Sequence, residues 1–262
     1  TDTSSGMKKY QIENQVKFKA KWQKELELNQ FSGPSELFKA HSRPKAAPVV
    51  FIADAEIPHW SESAGARLTW MYVQQFINSG YRVKFLPTNG FGSQPWTAEM
   101  EAIGVHVLHG LEYSDIDSWL MRNGRYIDYA YLHRPDVAAL LAPLVRKYSK
   151  AKLVYQCHDL HHIRHARQWE LAGHAGASPE AARWKRMEDS IMGIADVIHT
   201  PSISERIYIQ KLFPLKKVYD IPVFFYDKLP GINLEPQPLK ILFVGGCRHL
   251  PNEDAVVWFV EE

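Results

Sequence analysis

Short apolar runs alternate with amphipathic segments from residue 49 onward. Seven runs are apolar enough to be buried strands, at 49–52, 82–86, 105–108, 127–132, 152–157, 196–200 and 217–221. Between them, apolar residues recur at helical spacing near 64–78, 96–102, 114–122, 136–148, 179–193 and 203–212. Strands that alternate with helices are typical of a parallel sheet with helices on both faces. The pattern therefore predicts an α/β fold.

The ends of the chain follow different patterns and suggest its domain organisation. Residues 1–47 hold a charged helical segment at 7–28 and then a connector rich in proline and glycine. Residues 48–225 form the predicted Rossmann-like domain, and the proline-rich stretch 226–239 is typical of an interdomain linker. Residues 240–262 read as one strand, a glycine turn and a helix, which cannot bury a core alone. We expect them to begin a second, truncated Rossmann-like domain, so that the chain is a fragment of a two-domain protein.

The composition narrows the function classes. A formal net charge of +2 gives no reason to expect nucleic acid as a partner. The two cysteines, Cys157 and Cys247, lie in different segments and suggest no disulfide framework, which favours a reducing compartment. No apolar run approaches the roughly 20 residues that span a bilayer. We therefore predict a cytoplasmic protein.

The carboxyl ends of the strands are where ligands bind in open α/β sheets. The loop after the first strand, from Asp54 to Arg67, contains Gly65 at the start of a helix. A glycine there lets backbone N–H groups approach a phosphate or a sugar, and Arg67 adds positive charge. The loop lacks the Gly-x-Gly-x-x-Gly fingerprint, so a dinucleotide site is poorly supported. A turn-forming Gly65 with a solvated Arg67 fits the sequence equally well.

A second cluster has four histidines within eight residues, at His158, His161, His162 and His165. His158 and His162 have the spacing of a metal-binding His-x-x-x-His helix, which suggests a metal-dependent hydrolase as an alternative function. His158 ends a predicted strand, however, so the two imidazoles should not share a helical face. His158 and Asp159 at the strand exit are the better candidates, and the other histidines also fit packing or capping roles. His133 and Arg134 follow another strand in the same way.

Several short motifs, in order, resemble the amino-terminal half of the group 1 (family 4) glycosyltransferases over about residues 48–262. They are Asp54-x-x-Ile-Pro with Ala64-Gly-Ala-Arg67, Gly80-Tyr-Arg-Val-Lys-Phe85, Arg134-Pro135, His158-Asp159-Leu160, Ala195-Asp-Val-Ile198 and Phe243-Val-Gly-Gly-Cys-Arg-His249. The resemblance implies a GT-B architecture, in which two Rossmann-like domains face each other across a cleft. The segment around 14–22 resembles the helical tail of a family 2 (GT-A) domain and implies an adjacent glycosyltransferase domain in the same polypeptide.

The resemblance implies transfer of a sugar, with retention, from a nucleotide-diphosphate sugar to a glycan or lipid-linked acceptor in surface polysaccharide biosynthesis. It implies no metal and no cofactor beyond the donor substrate, and a cytoplasmic location, peripheral at most to the inner face of the membrane. We expect the isolated chain to be almost inactive. A non-catalytic α/β binding module remains an alternative beside the hydrolase.

The resemblance also assigns roles to single residues. The catalytic residues are His158 and Asp159, and the residues at the donor diphosphate are Gly65, Arg67, Gly245, Gly246 and Arg248. The residues on the acceptor side are His59, Arg134 and Arg164. Where many family members carry a lysine shortly after the arginine, this chain has Asn252, so part of the phosphate clamp is in question.

Overall fold

The structure is a computed structural model that describes residues 7–30, 38, 47–222, 241–246 and 250–261. Its contacts divide the chain into two compact units, residues 1–224 and 225–262, which are described separately below.

The first unit is built on a parallel sheet whose described strands run in the order β3-β2-β1-β4-β5-β6-β7. Their bounds are β1 Val49–Asp54, β2 Arg82–Pro87, β3 His106–Val107, β4 Tyr129–His133, β5 Lys152–Gln156, β6 Val197–Thr200 and β7 Lys217–Asp220. Every neighbouring pair is parallel. The seven predicted strands are confirmed, each with its ends within two residues of the prediction.

The described helices of the first unit are α1 Met7–Asn29, α2 Ala64–Asn78, α3 Trp96–Ala102, α4 Ile116–Asn123, α5 Pro135–Tyr148, α6 His161–Leu171, α7 Pro179–Ile194 and α8 Ile203–Leu212. Ser63, Ser178 and Ser202 cap α2, α7 and α8, because each serine hydroxyl accepts a backbone N–H from the first turn. All the predicted helices of this unit are present. Helix α6 was not predicted as one, since it has no side-chain cap of its own and contains no fully buried residue.

Two hydrophobic cores lie on opposite faces of the sheet. Val50 and Ile52 of β1 pack with residues of α2 and α3, whereas Phe51 and Ala53 pack with residues of α4, α5 and α7. Because β1 is buried on both faces, its sequence is a continuous apolar run rather than an alternating one. The predicted fold class, an α/β Rossmann-like sheet with helices on both faces, is confirmed.

Strand β1 pairs with β2 on one side and with β4 on the other. The connections from β1 and from β4 therefore leave in opposite directions along the sheet, which opens a crevice beyond the carboxyl ends of these two strands. The residues that end β1 and β4 are Asp54 and His133.

One prediction about the second unit is wrong. In the second unit, helix α9 Leu250–Glu261 forms as predicted, but residues 241–246 are exposed and lie in no strand, so the predicted strand at 240–246 is wrong for these residues. A strand needs a hydrogen-bonded neighbour, and the described residues of this unit offer none. The predicted linker 226–239 lies outside the described residues. Among the helices of the described chain, none combines the length and apolar character that crossing a bilayer requires.

Candidate functional site

Three strand exits bring polar side chains together at the crevice beside β1. Asp54 ends β1, His133 ends β4, and His158 follows β5 by two residues. Asp54 and His133 are buried, while His158 is half-buried. Arg134 has φ of 64° and His158 has φ of 59°, a left-handed conformation that non-glycine residues rarely adopt. Such backbone strain concentrates at functional sites, and here both strained residues lie in one cluster.

The Asp54 carboxylate is held by three donors. Its Oδ1 accepts from the Arg134 Nε at 2.6 Å and from the Ala55 N–H at 2.7 Å, and its Oδ2 accepts from the Thr69 hydroxyl at 2.6 Å. Burial alone raises the pKa of Asp54, but the neighbouring histidines and Arg134, together with the Thr69 hydrogen bond, outweigh it and hold the pKa below the ordinary value. Asp54 is therefore an ionised anchor that fixes the guanidinium of Arg134.

His133 and His158 form a pair next to this anchor. The His133 Nδ1 lies 3.0 Å from the His158 Nε2 and 3.3 Å from the Thr69 hydroxyl. Burial is the main cause that lowers the pKa of His133 to about 3 and that of His158 to about 4. Both imidazoles are therefore neutral at physiological pH.

Gly65 completes a corner with Arg134 and His158. A Cβ atom at Gly65 would lie 3.2 Å from the Arg134 Nη2 and 3.6 Å from the His158 Nδ1. Gly65 is the second residue of α2, and Ser63 accepts the N–H groups of Ala66 and Arg67. The N–H groups of Ala64 and Gly65 have no intrahelical acceptor, and no described residue accepts from them. The first turn of α2, a guanidinium and an imidazole edge thus lie side by side, and this set of donors suits an oxyanion.

A cation fits the same cluster poorly. One ligand atom each from Asp54, His133 and His158 lie within 4.8 Å of one another, a spacing compatible with a metal ion. Both carboxylate oxygens of Asp54 already accept strong hydrogen bonds, however, and the Arg134 guanidinium lies in contact with them. A metal ion would have to displace an ion pair and sit beside a fixed positive charge. The donor set therefore favours an anion over a cation.

The other histidines of the 158–165 cluster make hydrogen bonds or ring contacts in the first half of α6. The buried carboxylate of Glu188 accepts the His161 N–H at 2.7 Å and the ring Nδ1–H of His162, whose Nε2 lies 3.1 Å from the Tyr208 hydroxyl. The ring of His165 stacks on that of Trp184. Because α6 starts at His161, His158 and His162 do not share a helix, so the metalloprotease-like spacing is not realised.

The remaining predicted site residues are spread out. Asp159 is part-exposed and pairs with Arg164 at 3.0 Å, so these two predicted residues contact each other. Arg67 is exposed on α2 with no described partner. His59 stacks on Trp96 with ring centroids 3.9 Å apart and contacts the Ser93 hydroxyl at 2.8 Å.

Three of the residues predicted to bind the donor diphosphate fall within residues 225–262. Gly245 and Gly246 are described, and the Gly246 carbonyl accepts from the Asn252 side chain at 3.1 Å. A Cβ at Gly245 would lie 2.8 Å from the same Asn252 amide nitrogen, so a larger residue there would displace the Asn252 side chain. Arg248 lies outside the described residues.

Sequence reasoning assigned no role to four residues that organise this region, namely Asp54, Thr69, His133 and Glu188. Asp54 and His133 carried a usable signal, since each directly ends a predicted strand. Thr69 and Glu188 carried none, because their roles depend on how α2 and α7 pack.

Comparisons with known proteins identify no family. No protein-family profile matches the chain, and no curated protein matches it. A solved structure with a similar fold is UGT2 of Phytolacca americana in complex with UDP-2-fluoro-glucose and pterostilbene, at 12% identity and a TM-score of 0.45. The alignment covers 68% of this chain and 54% of that one, so this chain spans about half the length of the neighbour. A likeness at this level carries no conclusion about chemistry.

Proposed function

We propose that this chain forms the acceptor-side domain of a glycosyltransferase that uses a nucleotide-diphosphate sugar. The observation that carries the proposal is the corner at Gly65, where the α2 N-terminus, the Arg134 guanidinium and the His158 ring lie next to one another at the switch point of the sheet. A sugar nucleotide has the matching chemistry, because its diphosphate is anionic and its sugar is rich in oxygen acceptors.

The corner would act mainly by electrostatics. As the bond between the anomeric carbon and the diphosphate breaks, negative charge grows on the leaving oxygen. Arg134 and the helix N-terminus would stabilise that charge without further reorganisation, because Asp54 already holds the guanidinium in place. His158 would donate a hydrogen bond to a sugar or phosphate oxygen.

Retention of configuration is part of the proposal and needs no protein nucleophile. The Asp54 carboxylate is 3% exposed and both of its oxygens accept hydrogen bonds, which makes it unsuited to attack an anomeric carbon. Asp159 pairs with Arg164 and would shape the acceptor side of the loop. In the proposed step the acceptor hydroxyl attacks the anomeric carbon on the face from which the diphosphate departs, and its proton passes to the departing phosphate oxygen.

The proposed donor residues of the second unit are Gly245, Gly246 and Arg248, with the glycines admitting phosphate close to the backbone. Asn252, in the place where the resemblance expects a lysine, hydrogen-bonds Gly246 and would shape the turn instead of neutralising phosphate. We therefore expect weak turnover from these 262 residues alone. The proposed acceptor is a glycan or lipid-linked glycan of surface polysaccharide biosynthesis, and an adjacent glycosyltransferase domain is a proposed partner.

The test is a transfer assay with the complete natural polypeptide, supplied with a panel of nucleoside-diphosphate sugars and a lipid-linked glycan fraction. Release of nucleoside diphosphate is measured, and NMR of the product gives the anomeric configuration. We expect His158→Ala and Arg248→Ala to lower turnover at least tenfold. His165→Ala changes a histidine of the same helix region whose ring stacks on Trp184, and this matched control should keep wild-type turnover. Undiminished transfer by both site variants would refute the assignment, and inversion of configuration would refute the mechanism.

A further inference from the structure

The hydroxyl of Thr69 has one proton and three polar neighbours. It lies 2.6 Å from the Asp54 Oδ2, 3.2 Å from the Gly65 carbonyl and 3.3 Å from the His133 Nδ1. Two oxygens at 2.6 Å, one of them an ionised carboxylate, require a proton between them. The Thr69 proton is therefore committed to Asp54, and towards His133 the hydroxyl can only accept.

This commitment fixes the proton on His133. A neutral imidazole has one protonated and one bare nitrogen. Because Thr69 can only accept, the His133 nitrogen that faces it, Nδ1, carries the proton, and Nε2 is bare. The environment of Nε2 supports the same assignment independently, since this nitrogen is buried and no described residue contacts it as a hydrogen-bond partner. A buried bare nitrogen without a partner costs less than a buried N–H without an acceptor.

The same proton determines the state of the next ring. The His133 Nδ1–H also faces the His158 Nε2 at 3.0 Å, so that nitrogen must be the acceptor and must be bare. A neutral His158 then carries its proton on Nδ1. That atom is the one which lies 3.6 Å from the place of a Cβ on Gly65.

We propose that Asp54, Thr69 and His133 are positioning residues that lock His158 in its Nδ1-protonated tautomer, so that His158 presents a hydrogen-bond donor at the Gly65 corner. The use of that donor on a nucleotide sugar rests on the proposed function, whereas the tautomer itself does not. Because Arg134 lies beside His158, both side chains at the corner are then hydrogen-bond donors. The ligand atom that fits there is an oxygen of a phosphate, carboxylate or hydroxyl group, and His158 cannot accept a proton at this edge as a general base.

The direct test reads the tautomer in the ligand-free protein. Histidine is labelled with ¹⁵N, and two-bond ¹H–¹⁵N spectra at neutral pH distinguish protonated from bare ring nitrogens. The His158 signals are those that disappear in His158→Gln. We expect one protonated nitrogen at Nδ1 and one bare nitrogen at Nε2, without averaging. A protonated Nε2, or two averaged nitrogens, overturns the proposal.

The hydrogen-bond relay from Thr69 through His133 to His158 is tested with a matched pair of variants at Thr69. Thr69→Val has nearly the same shape but no hydroxyl, and we expect it to release the His133 proton and give averaged His158 nitrogens. Thr69→Ser keeps the hydroxyl and should keep the single tautomer. A purely structural Thr69 would leave the His158 pattern of Thr69→Val like that of the wild type, and this result refutes the relay. If Thr69→Val does not fold, the wild-type spectrum still decides the proposal.

If the tautomer proposal is right but the proposed function is wrong, the spectra give a different result. In that case the ligand-free spectrum shows the Nδ1-protonated form, but no nucleoside-diphosphate sugar, UDP-glucose and GDP-mannose included, shifts the His158 signals. Failure of the relay shows in the ligand-free spectrum itself.

Discussion

Gly65→Ala should raise stability and weaken ligand binding by a factor of roughly 10–100, a combination that a purely structural glycine would not give. Gly65 lies within α2 and has no left-handed backbone, so alanine is allowed there. Alanine in a helix is favoured over glycine by about 0.4–1 kcal/mol. The new methyl would lie 3.2 Å from the Arg134 Nη2, and a tilt of the guanidinium by a few tenths of an ångström relieves this contact while Nε stays bonded to Asp54.

The cost to binding follows from the same distances. A ligand oxygen that accepts from both Arg134 and His158 would lie about 2.7–3.1 Å from each donor nitrogen. The methyl, at 3.2 Å and 3.6 Å from those atoms, takes up that position. A hydrogen bond to a charged group contributes about 1.5–3 kcal/mol. Losing the Arg134 contact alone therefore weakens binding by a factor of roughly 10–100.

The assay pairs thermal unfolding with isothermal titration of UDP-glucose and GDP-mannose. The matched control is Gly193→Ala, because Gly193 is also helical but a Cβ there would contact nothing within 4 Å. We expect both variants to unfold at the wild-type temperature or above, and only Gly65→Ala to bind roughly 10–100 times more weakly. If Gly65→Ala binds sugar nucleotides as tightly as Gly193→Ala does, the corner is not the ligand site.

Three further predictions concern stability. Burial holds the pKa of His133, His158 and His199 at about 3 to 4, below the value of 6.5 in the unfolded chain. As the pH falls, the unfolded state therefore binds more protons than the folded state does, and the protein loses stability. Urea unfolding should therefore show a loss of about 1–2 kcal/mol per histidine between pH 7 and pH 5, and equal free energies at both pH values would contradict it. Glu188→Gln should cost about 1–3 kcal/mol and speed amide exchange at the start of α6, because it removes the buried carboxylate that accepts there. Glu180→Gln, the same change at an exposed position of α7, should stay within about 0.5 kcal/mol, and an equal loss in both would contradict the capping role. Gly124→Ala should cost at least about 1–3 kcal/mol in chemical denaturation, because its Cβ would lie 2.6 Å from the Tyr148 carbonyl oxygen, and an unchanged midpoint would show that the backbone adjusts freely.

The sheet could be predicted because local pattern and burial agree there. A run such as Val49 to Ala53 is apolar at every position since both faces of β1 are covered. Helix α6 escaped prediction because its stabilising contacts are not local. Its start is capped by Glu188, 27 residues further along the chain, and its own sequence has neither a cap nor a buried stripe. The strand predicted at 240–246 shows the opposite error, because the apolar run predicts a strand, whereas residues 241–246 pair with no other described residues of their unit.

The site was predictable only in outline. Strand exits indicated where chemistry should lie, and His158 and Arg134 were named as candidates on that basis and on the resemblance. The contact between Gly65 and His158 joins residues far apart in sequence and follows from the strand order. Thr69 lies in mid-helix among apolar residues, and nothing in its neighbourhood indicates a bond to Asp54. The role of its proton, which determines the tautomers of two histidines, can be inferred only from the packing of β1, α2 and β4.

The central claim is that a sugar nucleotide binds where Gly65, Arg134 and His158 meet. The most direct measurement is titration of the ¹⁵N-histidine-labelled protein with a panel of nucleoside-diphosphate sugars, UDP-glucose and GDP-mannose included, while the His158 ring signals are followed. We expect at least one donor to shift the Nδ1 signal saturably in the wild type and in Gly193→Ala, and Gly65→Ala to require a donor concentration roughly 10–100 times higher. Saturable binding that leaves the His158 signals unmoved, or no binding of any nucleoside-diphosphate sugar, would contradict the claim.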